Sequence, residues 1–278
     1  PFRLWEGMKG GEVCELITCE TDTPAFLAPL PPTTMDPLAV SECSVAWVDL
    51  ASDDVRVRDE AVRVVVSGLE EHGLAFIHVT DEQSHTWGSA VESALDFFAL
   101  EEGVKGGCRR ELESGKFVGY LKQPKREFFQ MRTVDKDASF PWPPPPHAGD
   151  MPQTFSECYK MLDGMCRLVL RHMCVPLGLD EGEIMGMLDH SEGLHLDAKK
   201  GCGGDLQSVG ADVFRIYQLY RPEDTPLPGL RDAATGIHAD LGFITIAPTA
   251  SVPGLTLLSQ DCLRWIDVES SVGTKVPE

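Results

Sequence analysis

The stretch at residues 238–246, His-Ala-Asp-Leu-Gly-Phe-Ile-Thr-Ile, joins two metal-ligating side chains to a run of β-favouring residues. Side chains two positions apart on a strand point to the same side, so the His238 imidazole and the Asp240 carboxylate would share one side. Together they can enclose one metal ion of hard or borderline character. The stretch therefore predicts a strand that carries two ligands of a metal site.

A His-x-Asp pattern is weak evidence by itself, because the chain holds a second copy, His195-Leu196-Asp197. The second copy follows a predicted short helix and precedes a glycine-rich loop, without a strand pattern around it. We expect the side chains of His195 and Asp197 to be partly exposed and to lie beyond bonding distance of His238. A hydrogen-bonded strand histidine that binds no metal is the alternative interpretation of His238.

Two histidines and one carboxylate form the facial triad of non-haem Fe(II) oxygenases, which leaves coordination positions open for other ligands. His238 and Asp240 supply two of these ligands, and no histidine follows His238 in the 278-residue sequence. We expect the third ligand to lie beyond Glu278. Residues 1–278 alone are therefore expected to bind Fe(II) poorly and not to turn over a co-substrate.

Segments on both sides of the His-x-Asp pair occur in an order typical of one enzyme family. They are residues 45–50 (Val-Ala-Trp-Val-Asp-Leu), 71–79 (Glu-His-Gly-Leu-Ala-Phe-Ile-His-Val), 214–222 (Phe-Arg-Ile-Tyr-Gln-Leu-Tyr-Arg-Pro), 252–258 (Val-Pro-Gly-Leu-Thr-Leu-Leu) and 263–268 (Leu-Arg-Trp-Ile-Asp-Val). In this order they resemble the isopenicillin-N-synthase-like branch of the 2-oxoglutarate/Fe(II)-dependent dioxygenases. The resemblance covers residues 44–268.

This resemblance implies an α+β fold, in which an N-terminal helical cap region is followed by a double-stranded β-helix, or jelly roll. Residues 1–44 would be an irregular N-terminal arm, residues 45–200 the cap region, and residues 211–278 a partial jelly-roll domain. A complete jelly roll has more strands than these residues supply, so we expect it to be incomplete at the C-terminus. The strand pairing at one side would then be left open.

The resemblance also implies a set of site residues. His238 and Asp240 would bind Fe(II), while the Tyr220 hydroxyl and the Gln218 side chain would bind the 2-oxoglutarate co-substrate. As strand residues, Tyr220 and Gln218 could equally face solvent or the core. Thr245 and Phe243 would flank the pocket, although packing explains both residues equally well.

The implied activity is a dioxygenase that uses dioxygen to hydroxylate or desaturate a small organic molecule. The Arg-x-Ser pair with which the family grips the far carboxylate of 2-oxoglutarate is absent, so an oxidase that works without this co-substrate stays open. A cupin-type metal enzyme would show clustered His-x-His, which the sequence lacks. The non-enzymatic alternative is a degenerate or fragmentary dioxygenase-like domain that acts as an interaction module.

Composition narrows the possible partners. The formal net charge of −20, from 44 acidic and 24 basic residues, disfavours binding to nucleic acid or to a membrane surface. No apolar run reaches the roughly 18 residues that span a bilayer. Nine cysteines in no regular spacing fit a reducing compartment better than a disulfide framework, so the sequence predicts a cytoplasmic protein.

Local signals predict the secondary structure. Asp53 or Asp54 caps a helix that runs through Glu71 and stops at Gly73. Residues 103–150 are rich in Gly and Pro, and the resemblance implies that the proline run 141–146 belongs to a loop that links the cap to the long helix, with a polyproline ligand as the alternative. Further helices are predicted at residues 81–100, 154–177 and 181–190, and strands at residues 45–50, 74–79, 213–220, 243–247, 255–258 and 265–268.

Overall fold

The computed structural model describes residues 5–7, 13–15, 35–36, 43–112, 116–134, 140–188, 209–219, 238, 240, 242–249, 255–258 and 265–271. Its helices are α1 (Trp47–Leu50), α2 (Val55–His72), α3 (Asp81–Phe98), α4 (Glu102–Gly106), α5 (Met151–Cys174), α6 (Glu181–Gly186) and α7 (Val268–Ser271). Its strands are β1 (Trp5–Gly7), β2 (Val13–Glu15), β3 (Met35–Asp36), β4 (Ser44–Ala46), β5 (Phe76–His78), β6 (Arg109–Glu111), β7 (Phe117–Gln123), β8 (Arg126–Val134), β9 (Val209–Leu219), β10 (Thr256–Leu258) and β11 (Trp265–Asp267). This mixture confirms the α+β class.

Helix α2 begins and ends where the sequence predicts. The Asp54 carboxylate accepts a hydrogen bond from the Arg56 backbone N–H at 2.9 Å, which caps the first turn. At the other end Gly73 adopts φ 77°, a left-handed conformation that costs glycine little, and its N–H bonds to the Leu69 carbonyl. These local signals need no tertiary contact to define the helix.

Helices α3 and α5 also match their predictions, with a shifted start for α5. Thr80 and Gln83 form a reciprocal capping box at the start of α3. Helix α5 begins at Met151 rather than at residue 154, because Pro152 is tolerated in the first turn, where its missing N–H has no helical partner. The apolar stripe of α5 is buried as predicted, and it includes Phe155, Leu162 and Met165.

The largest sheet has four antiparallel strands in the order β6-β7-β8-β9. Three of these strands fall in residues 103–150, a segment for which no strand was predicted from the sequence. Gly119 shows why its glycine content misleads. It lies inside β7 at φ 92°, and a Cβ there would come within 1.9 Å of the Cys108 carbonyl oxygen. Glycine at this position permits a close backbone approach within a sheet and does not mark a loop.

Two other predicted strands differ in the structure. Residues 47–50 form helix α1 after the short strand β4, which pairs in parallel with β5. On a strand Val48 and Leu50 would share one side, yet Val48 is exposed and Leu50 is buried, as a helical turn requires. Residues 242–249, where a strand was predicted at 243–247, carry no strand.

Short strands also lie in the segment predicted to be an irregular arm. Strands β1 and β2 pair with each other, and β3 pairs in parallel with β11 of the three-stranded sheet β10-β11-β3. Strands β10 and β11 confirm the predictions at residues 255–258 and 265–268. The domain limits 1–44, 45–200 and 211–278 stay predictions.

The main hydrophobic core lies between α3, α5 and one side of the four-stranded sheet. Its centre is aromatic, with Phe97 and Phe129 edge to face at 5.2 Å between ring centroids. Trp142 stacks on Phe129 at 5.4 Å, which ties the proline-rich segment before α5 to this core. Ile246 and Ala247 pack into the same core, so residues 244–247 are held against the helical layer.

Candidate metal centre

The structure brings His238 and Asp240 together, although neither lies in a strand. His238 Nε2 is 3.4 Å from Asp240 Oδ1. The Asp240 side chain has no exposed surface, whereas 26% of the His238 side chain is exposed. The pair therefore has a buried carboxylate and an imidazole that solvent reaches.

Thr245 holds the second oxygen of the buried carboxylate. Its hydroxyl Oγ1 donates a hydrogen bond to Asp240 Oδ2 at 2.9 Å, and Thr245 is itself buried. One carboxylate oxygen thus receives a neutral donor while the other faces the imidazole. Phe243, which was predicted beside Thr245 as a pocket residue, is 56% exposed.

Helix α5 fixes the segment that carries Thr245. Ile244 packs against the core between α2 and α5, and the Ile246 backbone forms a hydrogen bond with the Cys166 thiol. Burial, with a smaller contribution from the negative charge of Asp163, raises the pKa of that thiol to about 12, so the thiol stays protonated at neutral pH. Cys166 acts here as a packing residue of α5 and not as a metal-binding thiolate.

The separation of the two donor atoms fits one shared metal ion. Ligand atoms at about 2.1 Å from one ion are about 3.0 Å apart at a right angle and at most about 4.2 Å apart. The observed 3.4 Å lies between these limits. In the part of the chain that the structure describes, no group of three or more His, Cys, Asp or Glu side chains is placed to hold a metal. The described site therefore offers two protein ligands.

Of the remaining predicted site residues, the structure describes only Gln218. Gln218 is half-buried on β9, directly opposite Glu127 of β8. Alternation along β9 puts it on the same side as Phe214 and Ile216, which pack against the helices. Tyr220, His195 and Asp197 lie outside the described residues, so the predictions about them stay predictions.

A polar cluster that sequence reasoning missed lies on the other side of the four-stranded sheet. The Arg215 guanidinium donates through Nε to Gln130 Oε1 and through Nη1 to the Tyr217 hydroxyl at 3.0 Å. Phe128 packs on Tyr217 at 4.7 Å between ring centroids. The alternation of Arg215 and Tyr217 with apolar residues along β9 was the available signal, but the cross-strand partner Gln130 is 85 residues away.

Among the described helices, none is both long enough and apolar enough to cross a membrane. No family model and no curated protein matches the sequence. Several solved structures are similar to part of this chain at low identity, and two of the three described next are of one protein.

A full-length protein of Neurospora crassa in complex with alpha-KG and 5-formyluracil is 17% identical at a TM-score of 0.44, over 52% of this chain and 47% of that chain. The same protein in complex with alpha-KG is 16% identical at a TM-score of 0.46, over 57% and 55%. A 2OG-Fe(II) oxygenase family protein from Caulobacter crescentus is 22% identical at a TM-score of 0.38, over 50% and 49%. The chain thus spans about half the length of each of them.

Proposed function

We propose that His238 and Asp240 are two of the protein ligands of an Fe(II) site in a 2-oxoglutarate-dependent oxygenase that oxidises a small organic molecule with dioxygen. The observation that carries this proposal is the 3.4 Å approach of His238 Nε2 to a fully buried Asp240 carboxylate. The order of the flanking sequence motifs supports the same family, including its isopenicillin-N-synthase-like branch and its double-stranded β-helix.

The chain's own residues would prepare the site as follows. Asp240 supplies a negative charge that burial leaves poorly solvated, so a bound cation stabilises it more there than it would at the surface. Thr245 orients the carboxylate by holding Oδ2, which directs Oδ1 toward His238. Bound Fe(II) would supply the redox chemistry that activates dioxygen. Tyr220 and Gln218 remain our candidates for binding 2-oxoglutarate.

Metal titration of matched variants tests this proposal. We expect His238→Ala and Asp240→Asn each to weaken anaerobic Fe(II) binding by at least about tenfold, because loss of a ligand should cost no less than loss of its supporting contacts. His195→Ala, in the second His-x-Asp copy, serves as the control and should bind like the wild type. Unchanged affinity in both His238→Ala and Asp240→Asn would remove the ligand assignment, provided that circular dichroism shows folded proteins.

A further inference from the structure

Charged side chains are distributed unevenly between the two sides of the four-stranded sheet. The side that packs on α3 and α5, which we call the helix face, carries two acidic residues, Glu127 and Asp212, and two basic residues, Arg110 and Lys122. We call the opposite side the arginine face, because alternation along β6, β8 and β9 places four arginines on it. They are Arg109, Arg126, Arg132 and Arg215. The only acidic residue that these strands and β7 place there is Glu111, and its carboxylate accepts a hydrogen bond from Arg109 at 2.7 Å.

Arg215 is the most deeply buried cation of the arginine face, with 5% of its surface exposed. Its hydrogen-bond partners are two neutral oxygens, Gln130 Oε1 and the Tyr217 hydroxyl, and its guanidinium stacks over the Phe128 ring at 5.2 Å. None of the described Asp or Glu residues forms an ion pair with it. A guanidinium has five N–H donors, so these two bonds leave most of its fork unused.

The cations that the helices bring to the helix face, buried Lys105 and partly buried Arg167, have acidic partners. Lys105 Nζ lies 2.8 Å from Glu127 Oε2, and Arg167 lies 2.8 Å from Asp163 and 3.1 Å from Asp212. A buried charge is costly unless an opposite charge accompanies it. The chain has 44 acidic residues from which a partner could be drawn, so the neutral surroundings of Arg215 call for an explanation other than a shortage of carboxylates.

A ligand anion supplies the missing charge. The planar fork of arginine matches the two oxygens of a carboxylate or a phosphate, and such charge-assisted bonds are the strong ones. Arg126 places a second guanidinium on the same face, over the Tyr217 ring at 5.2 Å. At this depth Arg215 cannot meet a folded acidic surface, so an anion that pairs with it must be small.

We infer that the arginine face binds the anionic group of a small organic molecule, a carboxylate or a phosphate, through Arg215. Gln130 and Tyr217 then act as positioning residues, because their bonds to Nε and Nη1 fix the plane of the guanidinium. This inference does not depend on the Fe(II) site, and it can fail or succeed with that site absent.

Thermal unfolding of the full chain in EDTA tests the inference with succinate as the carboxylate probe and inorganic phosphate as the phosphate probe. Sodium chloride at equal ionic strength is the reference. We expect one of the probes to raise the unfolding midpoint saturably above the chloride value, as a ligand of the native state must. The probe that does so identifies the class of anion.

Three variants test whether Arg215 is responsible for this rise in the unfolding midpoint. Arg215→Gln should weaken the apparent affinity for the effective probe by about tenfold or more, while unfolding in chloride no earlier than the wild type, because it removes an uncompensated charge. Arg215→Lys keeps the charge but loses the fork, and should also bind more weakly. Arg167→Gln is the matched control from the helix face. It should unfold at a lower midpoint than the wild type, and the probe should raise that midpoint as much as it does in the wild type.

Two results would overturn the inference. One is that neither succinate nor phosphate exceeds the chloride reference in the wild type. The other is that Arg215→Lys, or a folded Arg215→Gln, responds to the probe as the wild type does. If Arg215→Gln fails to fold, the Arg215→Lys measurement decides alone.

Discussion

Among the described residues of the candidate metal centre, Asp240 lies where a charge is most costly to bury. A carboxylate with no exposed side-chain surface has lost much of its hydration, and the protein must replace it with donors or cations. Thr245 supplies one donor at 2.9 Å, and His238 Nε2 stands 3.4 Å from the other oxygen. The arrangement holds a negative charge in place at the point where a cation can join the imidazole.

Replacing Thr245 with Val tests whether its single hydrogen bond to Asp240 holds the carboxylate in place. The substitution keeps the side-chain volume but removes the donor to a charged acceptor, so we expect it to lower the free energy of unfolding by about 1.5–3 kcal/mol. We also expect Fe(II) affinity to fall by about tenfold or more, because the carboxylate loses its orientation. Urea unfolding in EDTA and anaerobic titration measure the two effects.

Thr245→Ser is the matched variant, since it keeps the hydroxyl. It should retain most of the Fe(II) affinity that Thr245→Val loses. Equal losses of affinity in the two variants would show that Thr245 acts through packing and not through its bond to Asp240.

Helix α2 packs closely against the residues that lead into strands β4 and β5, and one glycine makes this possible. A Cβ on Gly68 would lie 2.7 Å from the Leu74 carbonyl oxygen and 2.8 Å from the Cys43 Cβ. Both atoms belong to ordered, buried surroundings and cannot move aside as the end of a flexible side chain could. A Cβ on Gly88 in α3, by contrast, would have nothing within 4 Å.

The two glycines form a matched pair of substitutions. Gly68→Ala should destabilise the protein by about 1–3 kcal/mol through overpacking. Gly88→Ala should stabilise it by up to about 1 kcal/mol, because alanine has the higher helix propensity and no clash opposes it. Urea unfolding of both variants measures the difference, and a stable Gly68→Ala would contradict the packing of α2 on the residues that lead into β4 and β5.

Elements defined by local signals were predictable from the sequence, and elements defined by partners were not. The cap at Asp54 and the left-handed Gly73 fix α2 within its own sequence. Strands β7 and β8 escaped prediction because residues on both sides of β8 are buried, and polar residues such as Gln130 and Glu127 stand among the buried positions. The same limit applies to the site, where His238 and Asp240 follow from spacing but the Thr245 bond follows only from the fold.

At the scale of the molecule, the two sides of the four-stranded sheet surround their buried cations differently. On the helix face the Lys105 ammonium joins Glu127 of the sheet to the Phe98 carbonyl at the end of α3, with distances of 2.8 and 2.9 Å. The Tyr120 hydroxyl donates to the same Glu127 carboxylate. This network neutralises the buried charges between helix and sheet. On the arginine face, by contrast, Arg215 bonds to the neutral oxygens of Gln130 and Tyr217.

The central claim is that iron binds between His238 and Asp240, and iron-catalysed oxidation tests it most directly. The full chain would be incubated with Fe(II), ascorbate and dioxygen, and oxidised histidines located by peptide mass spectrometry. This measurement responds to where iron resides, so it does not require a complete set of ligands. Asp240→Asn is the control, since it removes one donor and leaves every histidine in place.

We predict oxidation concentrated at His238 in the wild type, with little at His195, because a bound iron damages the residues that hold it. In Asp240→Asn the oxidation of His238 should fall to the level of the other histidines. Oxidation spread evenly over the histidines, or concentrated at His195, would contradict the account.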